Sequence, residues 1–126
     1  MRERVLIVED CFIQSTVVRK MLEGEGFAVL DVCRSGEETL ESVQREIPDI
    51  VLMDIFINGD MNGIDTMKQI RDLYGPIPVI FITALTKSEL HEEALSIHPS
   101  NLLTKPVSKS DLLTSISELR EISVEV

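Results

Sequence analysis

Basic residues are scarce in this 126-residue chain, where 12 Lys and Arg stand against 22 Asp and Glu, a formal net charge of −10. A protein whose main task is to grip a phosphate backbone or an anionic membrane needs a basic face, so neither nucleic acid nor membrane is expected as a direct partner. Long apolar runs are missing as well. After Met1-Arg2-Glu3-Arg4 only Val5 to Val8 are apolar before Glu9 and Asp10. A secretory signal needs roughly 7–15 apolar residues at that point, and a spanning helix about 20. The two cysteines, Cys11 and Cys33, lie far apart and form no CxxC, which indicates neither a zinc site nor a disulfide framework. These absences point to a cytoplasmic protein with reduced thiols, in which small apolar packing is the ordinary role of cysteine. Cys11 would open a helix, where the dipole favours thiolate, and a redox role stays open for it. What is present is ordinary globular composition, 44% hydrophobic and 27% charged, without repeats or low-complexity linkers. One domain over residues 1–126 is expected.

Val5-Leu6-Ile7-Val8, Ile50-Val51-Leu52-Met53 and Val79-Ile80-Phe81-Ile82 are continuous apolar runs rich in β-branched residues. Such runs suit strands buried on both faces, as in a parallel sheet. Phe27 to Val32 is a fourth strand, interrupted by Asp31 and so nearer an edge, and Asn101-Leu102-Leu103-Thr104 a short fifth. Between them the period becomes helical, with stripes at Ile13/Val17/Met21, Leu40/Val43/Ile47, Ile64/Met67/Ile70/Tyr74 and Leu112/Ile116/Leu119. Ser35 to Glu38, Thr86 to Glu89 and Ser108 to Asp111 carry a hydroxyl three residues before an acid, the spacing of a capping box. Gly24-Glu25-Gly26, Tyr74-Gly75-Pro76 and His98-Pro99 mark helix ends. Five alternations of strand and helix imply right-handed βαβ units and a sheet covered on both faces. In such folds function collects outside the carboxyl ends of the strands.

Those ends carry Glu9-Asp10, Asp54, Thr83-Ala84 and Lys105-Pro106. Three carboxylates gathered there would repel one another, by roughly 4 kcal/mol per pair at about 4 Å and the effective dielectric of a protein surface, unless a cation sat between them. Glu9 and Asp10 could simply cap the first helix, but a cap does not call for a third acid at the end of the third strand. Oxygen-only ligands select a hard divalent ion, Mg²⁺ or Mn²⁺, over zinc. Lys105 could bind the oxygens of a phosphoryl group seated on such a carboxylate, and the Thr83 hydroxyl could donate to another. Together these groups suit phosphoryl transfer onto a carboxylate nucleophile.

The same residues, each behind an apolar strand, resemble the receiver domain of bacterial two-component response regulators, and the resemblance covers essentially the whole chain. It implies a three-layer αβα sandwich, a flavodoxin-like (βα)5 fold with a doubly wound five-stranded parallel sheet of order 2-1-3-4-5. It implies further that Asp54 accepts a phosphoryl group from a sensor histidine kinase or histidine phosphotransfer protein, as a phosphorelay component with self-catalysed phosphorylation rather than an enzyme. Glu9, Asp10, Asp54 and the backbone carbonyl of Phe56 would hold Mg²⁺, Thr83 and Lys105 would bind the phosphoryl oxygens, and Lys105–Pro106 would be cis. The face of the fourth helix, fifth strand and fifth helix would meet an effector or a second copy, through movement after Thr83-Ala84.

The chain departs from the family pattern in places. Leu102 stands where receivers usually carry the aromatic that reports activation. The loop from Asp54 to Gly63 is one residue longer than usual, with Asn58-Gly59 suggesting a positive-φ turn. Phe56 and Leu85 are apolar where the family tunes hydrolysis, which suggests a long-lived phospho-form. His91 and His98 have no partner at ligand spacing and read as surface histidines. A flavin binder would need a phosphate-cradling loop where Glu9-Asp10-Cys11-Phe12 presents carboxylates. A dehalogenase-like phosphatase would need an acid where Phe56 stands. A pseudo-receiver that only binds proteins would be expected to lack one of the key side chains. The chain ends soon after the last helix, which suits either a free-standing regulator or a receiver taken from a longer regulator or hybrid kinase.

Overall fold

The computed structural model describes residues 3–84 and 89–125. Strand and helix alternate as β1 (Arg4–Val8), α1 (Phe12–Gly24), β2 (Ala28–Cys33), α2 (Gly36–Arg45), β3 (Ile50–Asp54), α3 (Gly63–Tyr74), β4 (Val79–Thr83), α4 (Glu89–Leu95), β5 (Ser100–Thr104) and α5 (Lys109–Glu125). The strands form one parallel sheet in the order β2-β1-β3-β4-β5. The chain reverses direction across the sheet beside β1 and β3, and the crevice at their carboxyl ends is the expected place for a site.

The apolar strands divide their side chains by the two-residue period. Leu6, Val8, Val51, Met53, Val79 and Phe81 face one side and pack with Val43 of α2, Ile64, Met67 and Ile70 of α3, and Ala94 of α4. Val5, Ile7, Ile50, Leu52, Ile80 and Ile82 face the other and pack with Leu22 of α1 and Leu112, Ile116 and Leu119 of α5. Burial on both faces is why these strands lack the apolar/polar alternation of a half-exposed sheet. Strand β2 is an edge. Its register against β1 slips between Val5 and Leu6, so that Val29 and Asp31 are successive partners, and Asp31 reaches outward to Arg45 at 3.2 Å.

The helix stripes of α3 and α5 lie inward as the periodicity predicts. That of α1 does not: Ile13 is 72% and Val17 47% exposed, while Ser15 and Leu22 are buried and Val18 and Met21 pack partly against the core. Apolar residues occur at 12, 13, 17, 18, 21 and 22, an arc wider than one face, and one residue turns a helix by about 100°. Periodicity alone therefore leaves open which edge of the arc is buried. Ile47 likewise lies past the end of α2 and is exposed.

Ser35 caps α2 by accepting from Glu38 N at 3.2 Å, but Glu38 returns to Arg34 N, at 2.7 Å, rather than to Ser35. Ser108 accepts from Asp111 N at 3.1 Å. The full reciprocal box belongs to Asn62 and Asp65 at the start of α3, and the cap expected over Thr86–Glu89 lies outside the described residues apart from the backbone of Glu89. Lys105–Pro106 is cis, as expected, and so is His98–Pro99. Gly59 has φ +99°, whereas Asn58 does not share the positive φ. Among the described residues no helix is long and apolar enough to cross a membrane.

Candidate functional site

Strand β1 carries Glu9 and Asp10 just past its last residue, and β3 ends on Asp54. Because β1 and β3 are hydrogen-bonded neighbours in register, with Val8 opposite Met53, these acids arrive side by side. One carboxylate oxygen of each lies within 4.8 Å of the others. Glu9 and Asp54 are buried, and Asp10 is half-buried. Three acids so close are unfavourable unless a cation compensates, and Lys105, from the segment after β5, supplies one. Its Nζ donates to Glu9 Oε1 at 2.7 Å and to Asp54 Oδ2 at 2.8 Å.

The other oxygens of Glu9 and Asp54 each have a backbone partner. Glu9 Oε2 accepts from Cys11 N at 3.1 Å, and Asp54 Oδ1 accepts from Phe56 N at 3.1 Å. Burial works against the Lys105 ammonium, yet the hydrogen bonds to Asp54 and Glu9 outweigh it and raise its pKa above that of ordinary lysine. Asp10 shifts the same way for other reasons: burial first, then Glu9 beside it, lifts its carboxyl above the usual range. Thr83 is fully buried at the end of β4, and its carbonyl accepts the Lys105 N–H at 2.8 Å, tying these two residues through the backbone. Ala84 and Pro106 flank them.

Glu9, Asp10, Asp54 and Lys105 thus converge, with Thr83 bonded to Lys105. Phe56 sits beside them through its N–H, while its ring is 48% exposed. Leu102 does not join the cage. It lies on β5, packed against the core beneath α2, α3 and α4. Leu85 lies outside the described residues. The three-oxygen set fits a hard divalent cation, because it offers carboxylates without nitrogen or sulfur and carries more negative charge than Lys105 neutralises.

Cys33 is buried and its thiol is pushed up to about 12, by burial first and by Asp31 second, which makes it an inert packing group. Cys11 is half-buried at the N-cap of α1 and contributes its N–H, not its sulfur, to the cage. His98 is exposed as expected, but His91 is partly buried, and its Nε2 has no hydrogen-bond partner among the described residues.

Two features escape a reading of side-chain chemistry alone. Gly63 opens α3 directly over Asp54, where a Cβ would lie 2.3 Å from the Asp54 carbonyl oxygen, and its N–H donates to Ile55 O at 2.7 Å. Asn62-Gly63-Ile64-Asp65 has the capping-box spacing and could have disclosed this helix start. Beside the cage, a groove of about 420 Å³ runs between α1 and the segment after β5, walled by Ile13, Val17, Pro106 and Val107. No sequence signal marks it, since it exists only because α1 turns Ile13 and Val17 outward.

Acids from β1 and β3 sharing one lysine at the switch point of a doubly wound sheet define the class of signal-receiver modules. The family model described as the response regulator receiver domain matches residues 5–117, and the chain belongs to that family, the receivers of two-component systems. It is 32% identical over 114 residues to the transcriptional regulatory protein ZraR of Escherichia coli K12, a match that covers 90% of this chain and 25% of that protein. The chain therefore spans about a quarter of the length of that relative. It is 31% identical over 118 residues to the chemotaxis protein CheY of Treponema pallidum, covering 92% of this chain and 81% of that one. Among solved structures, the signal receiver domain of a modulated diguanylate cyclase from Desulfovibrio desulfuricans superposes with a TM-score of 0.89 at 32% identity, over 100% of both chains.

Proposed function

We propose that this chain is a phosphoacceptor in a two-component phosphorelay, with Asp54 as the acceptor and a sensor histidine kinase or histidine phosphotransfer protein as the donor. The observation that carries the reading is the Lys105 ammonium held at once by Asp54 and Glu9. A buried carboxylate beside a donor that can follow a transferred phosphoryl group is what an acyl-phosphate acceptor needs.

In the transfer, an Asp54 carboxylate oxygen attacks the phosphorus of the donor phosphohistidine. The new O–P bond makes a mixed anhydride, and the N–P bond breaks with its electron pair remaining on the imidazole nitrogen. Lys105 turns from the carboxylates toward the phosphoryl oxygens, the Phe56 N–H and the Thr83 hydroxyl would donate to the same group, and Gly63 leaves the Asp54 backbone unobstructed. Glu9, Asp10 and Asp54, with the Phe56 carbonyl, would hold Mg²⁺ or Mn²⁺. When bound, that ion offsets the negative charge gathered in the transition state. The apolar groove beside the cage suits the approach of a donor helix that delivers its histidine to Asp54. The reading places the protein in the cytoplasm, without nucleic-acid or membrane contact by this domain. Its output would run to an effector or a second copy, the face of α4, β5 and α5 being the family's usual surface.

Intact-mass measurement after incubation with acetyl phosphate is the test. One phosphoryl group should be gained only with Mg²⁺, and Asp54→Asn should abolish the gain while leaving the far-ultraviolet circular dichroism unchanged. A gain that survives Asp54→Asn would move the acceptor elsewhere. No gain in the wild type would favour a pseudo-receiver.

A further inference from the structure

The loop that follows the acceptor is tied to the start of α2. Asp54 Oδ1 accepts the Phe56 N–H at 3.1 Å, and two residues further on Asn58 forms a parallel backbone bridge with Ser35. Ser35 is the N-cap of α2, accepting the Glu38 N–H at 3.2 Å. A path of continuous backbone and one bridge thus connects the acceptor carboxylate to a helix terminus on the side of the sheet away from α5.

Little slack exists along this path. Gly36, the first residue of α2, is buried, and a Cβ there would lie 2.5 Å from Thr66 Oγ1 and 2.9 Å from Met61 Cε. Thr66 is itself held, donating to Asn62 O at 2.8 Å, and Met61 Sδ accepts from Gln69 Nε2 at 2.8 Å. At Gly59 a Cβ would lie 2.9 Å from Glu37 Oε2. The loop and the first turn of α2 therefore interlock from both sides. Packed groups of this kind move together between discrete arrangements rather than deforming continuously.

We propose that the phosphorylation state of Asp54 is read at the first turn of α2, through Phe56 and the Asn58–Ser35 bridge. This rests on Asp54 being the phosphoacceptor. An acyl phosphate formed on Oδ1 turns that oxygen into the bridging oxygen of a mixed anhydride, a poor acceptor, and exchanges the carboxylate charge for roughly −1.5 to −2 charges on the phosphoryl group beside it. The Phe56 N–H must then aim at a phosphoryl oxygen, and Ile57 and Asn58 follow it. Arg34, Glu37 and Glu38 are exposed where that movement emerges. Such a route needs no aromatic at Leu102.

Amide hydrogen exchange on the full chain, with and without acetyl phosphate and Mg²⁺, tests this, with occupancy followed by intact mass. Protection of residues 35–39 should change by about threefold or more on phosphorylation, with the amides of Leu112–Leu119 in α5 as the internal reference. Asn58→Pro, which removes an N–H from the bridging residue, and Gly59→Ala, which strains a positive φ, should still gain the phosphoryl mass. In both, the change at residues 35–39 should fall by about half or more. A phosphorylated wild type with residues 35–39 unchanged overturns the proposal, as does a full response retained in both variants. A wild type that gains no mass removes the phosphoacceptor reading itself, and the two failures are thereby distinguished.

Discussion

Neutralising Asp10 should stabilise the fold while disabling its chemistry. The carboxylate oxygens of Glu9, Asp10 and Asp54 lie within 4.8 Å of one another. At that separation and an effective dielectric of roughly 20, each like-charge pair costs about 3.5 kcal/mol. Lys105 bonds Glu9 and Asp54, which leaves Asp10 a smaller share of its charge. Two repulsions less one attraction bound the gain from Asp10→Asn at about 3.5 kcal/mol, and solvent screening of a half-buried group reduces it to about 1–2 kcal/mol. Unfolding a chain of this length releases roughly 0.26 kcal/mol per kelvin, so Tm should rise by about 4–8 °C.

The pH dependence has a definite sign. Asp10 has a pKa raised above 3.8, by burial first and then by Glu9, so the folded state holds this proton more tightly than the unfolded chain. Wild-type stability in EDTA should therefore fall as pH climbs from the ordinary aspartate pKa through the raised one, then level off, and the variant should lack that fall. Calorimetry in EDTA measures both effects. Added Mg²⁺ should raise the wild-type Tm and leave Asp10→Asn nearly unmoved. A variant with an unchanged or lower Tm in EDTA at neutral pH would refute the premise that the acids strain the metal-free fold.

Phe81 is fully buried on β4, and Phe81→Ala should cost about 3–5 kcal/mol in urea unfolding, with the denaturant slope unchanged. Gly63→Ala forces a methyl into a contact of 2.3 Å with the Asp54 carbonyl. It should cost about 1–3 kcal/mol and slow phosphoryl uptake from acetyl phosphate, and normal uptake would show that the acceptor tolerates a shifted backbone. Phe56 stands half-exposed beside Asp54, and on the proposed function its ring would hinder a water attacking the phospho-form. Phe56→Asn should shorten the phospho-form's lifetime, read by decay of the phosphoryl mass, and a longer lifetime in the variant would contradict that role.

Much of the fold was legible because parallel strands buried on both faces need unbroken apolar runs, and β1, β3 and β4 have them. Residues such as Met67 and Ile116 lie inward as their spacing predicts, since α3 and α5 each carry one narrow apolar stripe. The spread of apolar residues on α1 is wide, so periodicity favoured Ile13 and Val17 while packing into the core selected Val18 and Leu22 instead. The hydrogen bonds of the cage were legible only as residue types. Nothing local says that Lys105 reaches Glu9, 96 positions away.

The order of apolar runs and the charged residues that end them determined the layering, the helices and the residues that could hold a cation or a phosphoryl group. Those are properties of period and of residue type, and each is carried within a few neighbouring positions. Tertiary structure alone decided which acids share the lysine, that Gly63 lies against the Asp54 carbonyl, that a groove opens beside α1, and that the loop after Asp54 locks onto α2. Distances between segments depend on sheet register and on which helix face wins the core, and these are settled by packing the whole chain at once.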